Sequence, residues 1–147
     1  MFSKACEYAI RSIVFIAAQN EQGTQRVGIK EISSQLDIPE RFTSNILQTL
    51  TKRNLIQSIK GPNGGYSLDY SKSLTLWDVM VEVDGNKYYQ ECVLGLHECS
   101  DTQPCPIHNS FSDIRDRQAH MLKSTHIADL AVDLIEGKIH LNRKLRS

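Results

Sequence analysis

The sequence has no hydrophobic run approaching the roughly 20 residues a membrane-spanning helix needs. Its opening stretch, Met-Phe-Ser-Lys-Ala-Cys-Glu-Tyr-Ala-Ile-Arg, carries Glu7 and Arg11 where a secretory signal would be continuously apolar. A cytoplasmic protein without a membrane segment is therefore expected. Neither charge is in excess: 17 basic and 17 acidic side chains cancel, so net charge names no partner. Proline and cysteine are scarce, with four of each in 147 residues, and glycine numbers eight. These low counts exclude collagen-like and low-complexity chains, and a cytoplasmic setting argues against a disulfide scaffold. Internal repeats are absent. So are a convincing Ser-His-Asp order, a paired-carboxylate signature and a phosphate loop, since Gly61–Gly65 is not followed by a helix. An enzyme is not expected.

What is present is a globular composition, 40% hydrophobic and 23% charged, in a chain long enough for one domain with an added arm. Ser3 is placed as an N-cap before a helix running to Gln19, with Ala5, Tyr8, Ala9, Ile13, Ile16 and Ala17 at helical spacing. Ile10, Val14 and Phe15 widen its apolar surface almost all round, so a second lobe or a dimer partner must cover it. Gly28–Leu36 reads as a short helix. Asp37-Ile38-Pro39 breaks it, with Pro39 suited to the first position of the next helix. That helix runs to about Arg53, with Phe42, Ile46, Leu47 and Leu50 inward and Arg41, Ser44, Asn45 and Gln48 outward.

Leu55–Ile59, the turn Lys60-Gly61-Pro62-Asn63-Gly64-Gly65 and Tyr66–Leu68 then form a hairpin. A helix-turn-helix followed by a hairpin with a cationic tip is the winged-helix arrangement. From Pro39 to Tyr66 four cations (Arg41, Lys52, Arg53, Lys60) face one anion, Glu40, whereas eight cations meet ten anions from Val81 onward. A recognition helix needs short polar or cationic side chains near its start, and Arg41, Thr43, Ser44, Asn45 and Gln48 supply them. Lys60 on the wing is placed for phosphates or a minor groove, and Asn63 sits in the tip whose backbone can approach a ligand closely.

A fourth helix is expected from about Thr75 to Val83, ending near Gly85. The stretch Asn86–Pro104 has little periodicity and needs a reason to be ordered. Cys92, Cys99, Cys105 and His108 fall within 17 residues there, a spacing more typical of a metal or iron–sulfur site than of scattered core thiols. Tetrahedral zinc also accepts three thiolates and an imidazole, but its ligands are commonly paired two to four residues apart, so the wider spacings favour an iron–sulfur cluster. Cys6 reads as a core or surface thiol and Glu7 as a solvated acid; His97, inside the cysteine loop, could be a ligand but reads as a solvated loop histidine, while His120, His126 and His140 are assigned nothing. From Pro106 an amphipathic helix returns, with Ile107, Phe111, Ile114, Gln118, Met121 and Leu122 on one stripe and Asp113, Arg115, Asp116 and Arg117 elsewhere. Ser124-Thr125 reads as the cap of a last short helix, followed by a basic tail, Asn142–Arg146.

Tyr8-Ala9-Ile10-Arg11, Ile38-Pro39, the wing Lys60–Tyr66 and the Cys92/Cys99/Cys105 loop together resemble the IscR/NsrR/CymR family of bacterial winged-helix transcription regulators, over roughly Met1–Ala131. The resemblance implies a mainly α fold with a β-hairpin wing. Its parts are a DNA-binding domain over 1–85, a cluster-binding loop over 86–105, a dimerisation helix and short helix over 106–136, and a basic tail over 137–147. It implies a homodimer whose long helices, Pro106–Lys123, pack together and present two winged helices to a palindromic operator in double-stranded DNA. Arg41, Ser44 and Asn45 match base-reading positions, and Lys60 matches the minor-groove residue, where the family usually has Arg. Lysine lacks the planar fork of arginine, which weakens such reading. Cys92, Cys99 and Cys105 match cluster ligands, with the first spacing one residue longer than is commonest. His108 matches one fourth-ligand type and Glu7, from the partner's first helix, another, and His108 ranks first. A histidine ligand favours [2Fe-2S] over [4Fe-4S], and an aerobically prepared sample can lack the cluster. The alternatives are a cluster-free regulator controlled by thiol oxidation or by a protein partner, and a zinc-stabilised DNA-binding protein.

Overall fold

The computed structural model describes residues 1–143. The expected basic residues Lys144 and Arg146 lie outside the described residues. Helix α1 (Lys4–Glu21) starts at Ser3, whose hydroxyl accepts from the Cys6 N–H at 3.0 Å. Helices α2 (Ile29–Leu36) and α3 (Glu40–Lys52) flank the turn at Asp37, which takes left-handed backbone angles (φ 53°). Pro39 is the N-cap of α3 rather than its first residue, so the helix begins one position later than the sequence predicts. Strands β1 (Ile56–Ile59) and β2 (Gly65–Leu68) pair antiparallel, with Ile56 opposite Leu68 and Ile59 opposite Gly65. Val27 adds a single bridge to the outer edge of β2, exchanging two 2.9 Å bonds with Tyr66.

Helix α4 (Leu76–Asp84) is set by a capping box: the Thr75 hydroxyl accepts from the Asp78 N–H, and the Asp78 carboxylate accepts from the Thr75 N–H at 2.8 Å. A short 3₁₀ turn at Lys87–Tyr89 leads into the cysteine loop. Helices α5 (His108–Ser124) and α6 (Ile127–Ile135) complete the chain. His126 caps α6, where the sequence pointed to Ser124-Thr125; Ser124 and Thr125 instead donate their hydroxyls back to α5 carbonyls.

The main core runs along α1: Ala9, Ile13, Val14, Ile16 and Ala17 are buried among Ile32, Leu36, Leu47, Leu50, Val79, Ile127 and Ala131. This answers the demand for cover made by a helix apolar all round, because α2 and α3 take one side, α4 another, and α6 folds back onto a third. A smaller cluster of Cys6, Met80 and Leu122, lined by Phe2, Trp77 and Tyr89, ties the start of α1 to α4 and α5. The Trp77 and Tyr89 rings meet edge to face at 4.9 Å between centroids.

Candidate functional site

The recognition helix carries its inward stripe at Thr43, Ile46, Leu47 and Leu50, the i, i+3, i+4, i+7 pattern of a helix against a core. Two expectations change as a result. Thr43 occupies the first buried slot and spends its hydroxyl on the carbonyls of Pro39 (3.2 Å) and Ile38 (3.4 Å), so it is not available to read bases. Phe42, expected inward, is displaced to the edge of the stripe and is 54% exposed, 6.4 Å from the Tyr8 ring. Arg41, Asn45 and Gln48 face solvent as expected, and Ser44 is half-buried.

The wing stands beside them. Gly61 takes φ +111°, a left-handed conformation that disfavours a side chain. A Cβ at Gly64 would lie 2.2 Å from the Ile59 carbonyl oxygen, so only glycine closes this tip. Lys60 and Asn63 are exposed on it. An open groove of about 620 Å³ separates wing from helix, and Gln48, Thr51, Lys52, Ser58 and Lys60 line it with polar and cationic groups. A groove of this chemistry suits a phosphate backbone.

The cysteine loop is built differently. The four donors stand as two pairs. Cys92 is hydrogen-bonded with Cys105, and its thiol is held below the ordinary value chiefly by the Leu94 N–H, with further help from Leu96, Cys105 and Gly95. Cys99 Sγ lies 3.5 Å from His108 Nδ1, and the opposite ring nitrogen, Nε2, donates to Asp101 at 2.8 Å, fixing the imidazole's orientation. Among the described residues, no three of Cys, His, Asp and Glu are grouped to hold a single metal ion. By chemistry the donor set fits an iron–sulfur cluster, for it supplies three soft sulfurs and an imidazole surrounded by hydrogen-bond donors that favour anionic sulfur. Glu7 is on the exposed side of α1, paired with Lys4 at 3.3 Å. Cys6 is fully buried, and its thiol is pushed up to about 12 by burial and by Asp84.

Arg115, expected on an outer face of α5, is buried. Its guanidinium donates to the Glu91 carbonyl at 3.0 Å and to Cys99 Sγ at 3.1 Å, pinning the start and the middle of the loop to the helix. The signal that would have found it is the seven-residue spacing His108, Arg115, Leu122, which is the buried line of α5. Leu122, expected at a dimer seam, is consumed in the small core with Cys6 and Met80. The adjacent line, Ile107, Ile114 and Met121, is exposed at 42%, 52% and 41%.

Residues 2–133 match the family model described as Rrf2, iron-dependent transcriptional regulator. The chain belongs to the Rrf2 family. It is 31% identical over 134 residues to an HTH-type transcriptional regulator of Aquifex aeolicus, covering 88% of this chain and 90% of that one. It is 29% identical to the HTH-type transcriptional regulator NsrR of Geobacillus kaustophilus, covering 86% of each. Among solved structures it is similar in fold to CymR, the global cysteine regulator of B. subtilis (TM-score 0.71, 22% identity, 90% and 96% covered). It is likewise similar to IscR of T. potens (TM-score 0.73, 17% identity, 95% and 92% covered). This Rrf2 protein is accordingly a DNA-binding transcription regulator with a winged-helix fold and not an enzyme. No helix among the described residues is long and apolar enough to cross a membrane.

Proposed function

We propose that two copies of this regulator join along the exposed Ile107, Ile114, Met121 line and bind a palindromic operator in the cytoplasm. In this reading Cys92, Cys99, Cys105 and His108 hold an iron–sulfur cluster that sets the strength or sequence preference of binding. The observation that carries the cluster reading is the concentration of sulfur and imidazole donors in one loop, with Arg115 and three backbone N–H groups directed at the sulfurs. The family's description as iron-dependent supports it. A bound cluster would supply chemistry sensitive to redox state, nitric oxide or cluster supply.

Arg115 links loop to helix: it holds the Glu91 carbonyl and Cys99 from a position one residue beyond Ile114. Drawing the two donor pairs together therefore pulls on the helix that carries the dimer line, and α5 in turn packs on α4 beneath the winged helix. On DNA, Arg41, Ser44, Asn45 and Gln48 meet base edges while Lys60 and Asn63 approach the backbone or minor groove. His108 is the preferred fourth ligand, giving [2Fe-2S]; Glu7 from the partner would leave [4Fe-4S] open.

A second reading, a cluster-free regulator governed by thiol chemistry or a protein partner, is favoured by one observation, the pairwise rather than joint arrangement of the donors. Anaerobic purification with an absorbance spectrum and iron, sulfide and zinc analysis separates the two. Visible charge-transfer bands with iron and sulfide, lost in each of Cys92→Ala, Cys99→Ala and Cys105→Ala, support the cluster. Zinc alone, or neither metal after reconstitution with iron and sulfide, contradicts it. A labile or altered cluster in His108→Ala but not Glu7→Ala assigns the fourth ligand. Sedimentation as a monomer at micromolar concentration would contradict the dimer, and Ile114→Asp should dissociate it.

A further inference from the structure

Lys60 is one cation on the wing, and a second stands beside its tip. Arg26 precedes Val27, the residue that bridges to Tyr66 on the outer edge of β2. Its Nη1 donates to the Asn63 carbonyl in the tip at 3.3 Å. Gly65 is what lets this segment lie so close: it takes φ +145°, and a Cβ there would stand 2.8 Å from the Val27 carbonyl oxygen and 3.2 Å from Arg26 Cβ. Strand order then sets the two cations apart. Lys60 follows the last residue of β1, Arg26 lies along the other edge of β2, and the hairpin tip is between them.

Charge and hydrogen bonding leave this side chain available. Among the described residues no carboxylate pairs with Arg26. Arg53, which belongs to the same basic region of the sequence, is by contrast paired with Glu82 at 3.7 Å. Residues 22–30 hold two cations, Arg26 and Lys30, and no anion, so nothing along the chain offsets the charge. A guanidinium has five N–H donors, and the bond to Asn63 is the one its side chain makes among the described residues. That bond ends on a neutral carbonyl, so it holds the group at the tip without neutralising it. A positioned, planar fork of free donors with its full charge matches phosphate oxygens.

We propose that Arg26 is a second phosphate-binding cation of the wing, gripping the DNA backbone from the edge opposite Lys60. The proposal rests on the DNA-binding reading and adds to it a residue outside both the recognition helix and the hairpin. Its test is a cycle of Arg26→Gln, Lys60→Ala and the double variant, compared with wild type prepared in the same state. Anisotropy titrations over a range of salt would use an operator selected from random duplexes and a labelled mixed-sequence duplex long enough to span both winged helices.

Each single variant should lower the slope of log K against log salt by about 0.9 per subunit, and the double variant by about 1.8. The affinity advantage of wild type over Arg26→Gln should shrink by about 3.5-fold per subunit for a fourfold rise in salt, equally on both duplexes. Arg26→Lys, which keeps the charge, should retain the wild-type slope. A residue that only steadied the tip for Lys60 would have no effect once Lys60 is gone, so a double variant with the slope of Lys60→Ala alone would overturn the proposal. An Arg26→Lys slope as low as that of Arg26→Gln would also overturn it, because the Asn63 bond and not the charge would then matter. Arg26→Gln with the wild-type slope, while Lys60→Ala lowers it, would remove Arg26 from the interface and leave the DNA reading intact. A wild-type protein that binds neither duplex would overturn the DNA reading itself.

Discussion

The winged-helix body and the cysteine loop are held by different forces. In the body, α1 is wrapped by apolar residues from α2, α3, α4 and α6, and its polar turns are closed by capping bonds and required glycines. In the loop, Val93, Leu94 and Leu96 are exposed, and order comes from a few polar anchors: Arg115 on Glu91 and Cys99, His108 on Asp101, and backbone N–H groups on Cys92. A region that buries apolar surface is stable by itself, whereas one ordered by a handful of directed donors changes when a ligand engages them. In the proposed reading, the body positions the side chains that meet DNA, and the loop is the part available for control.

The largest expected contrast between the two regions comes from matched truncations. Leu47→Ala removes a fully buried side chain beneath the recognition helix and should cost about 2–5 kcal/mol in denaturant unfolding. Leu94→Ala in the loop should stay within about 0.5 kcal/mol in the cluster-free protein. Equal losses would show that the loop belongs to the core.

Arg115→Met sharpens the boundary. It keeps the aliphatic stem but leaves the Glu91 carbonyl and Cys99 without their donor, an expected loss of about 1–3 kcal/mol. Hydrogen exchange should quicken in residues 91–99 and not in α1–α3. Uniform quickening over the whole chain would contradict local anchoring.

Cys6 belongs to the body despite being a cysteine, and pH separates it from Cys92. Burial and Asp84 raise it from 9.0 to about 12, so the folded state holds this proton more tightly than the unfolded state. Its stabilisation is complete below pH 9.0 and is lost as pH rises toward about 12. Cys6→Ala should flatten the alkaline fall in melting temperature, and an unchanged fall would contradict the assignment. Cys92 is shifted the other way, its thiol held below the ordinary value chiefly by the Leu94 N–H.

At the DNA surface the expected effects are smaller and more specific. Asn45→Ala should relax sequence preference by about 1–3 kcal/mol at one base position. Lys60→Ala should lower the salt slope by about 0.9 per subunit with little change in preference. Identical behaviour of the two variants would collapse the distinction between reading and positioning.

Most of the body is legible from periodicity and turn chemistry: the Ser3 cap, the break at Asp37, the glycine-rich wing and the end of α4 at Gly85 all stand where the residues place them. The departures share a physical origin, since a stripe of apolar residues does not say which side chain takes its edge. Thr43 replaces Phe42 inside α3 because a small hydroxyl can satisfy itself on carbonyls one turn back. On α5 the inward line runs through Arg115, a residue that hydropathy assigns to solvent, because its guanidinium finds a carbonyl and a sulfur in the loop. Such partners are distant in sequence and invisible to a helical pattern. The bonds from the Arg11 guanidinium to the Leu36 and Leu141 carbonyls, 25 and 130 positions away, are hidden for the same reason.

Control of the winged helix by the cysteine loop is tested most directly by one titration. An operator selected from random duplexes is bound at fixed salt, under strict anaerobiosis, by iron- and sulfide-reconstituted protein and by the same protein after removal of iron. Affinity for this operator, or preference for it over a mixed-sequence duplex, should differ between the two by about fivefold or more. Superimposable binding curves from samples whose spectra and iron content differ would contradict such control.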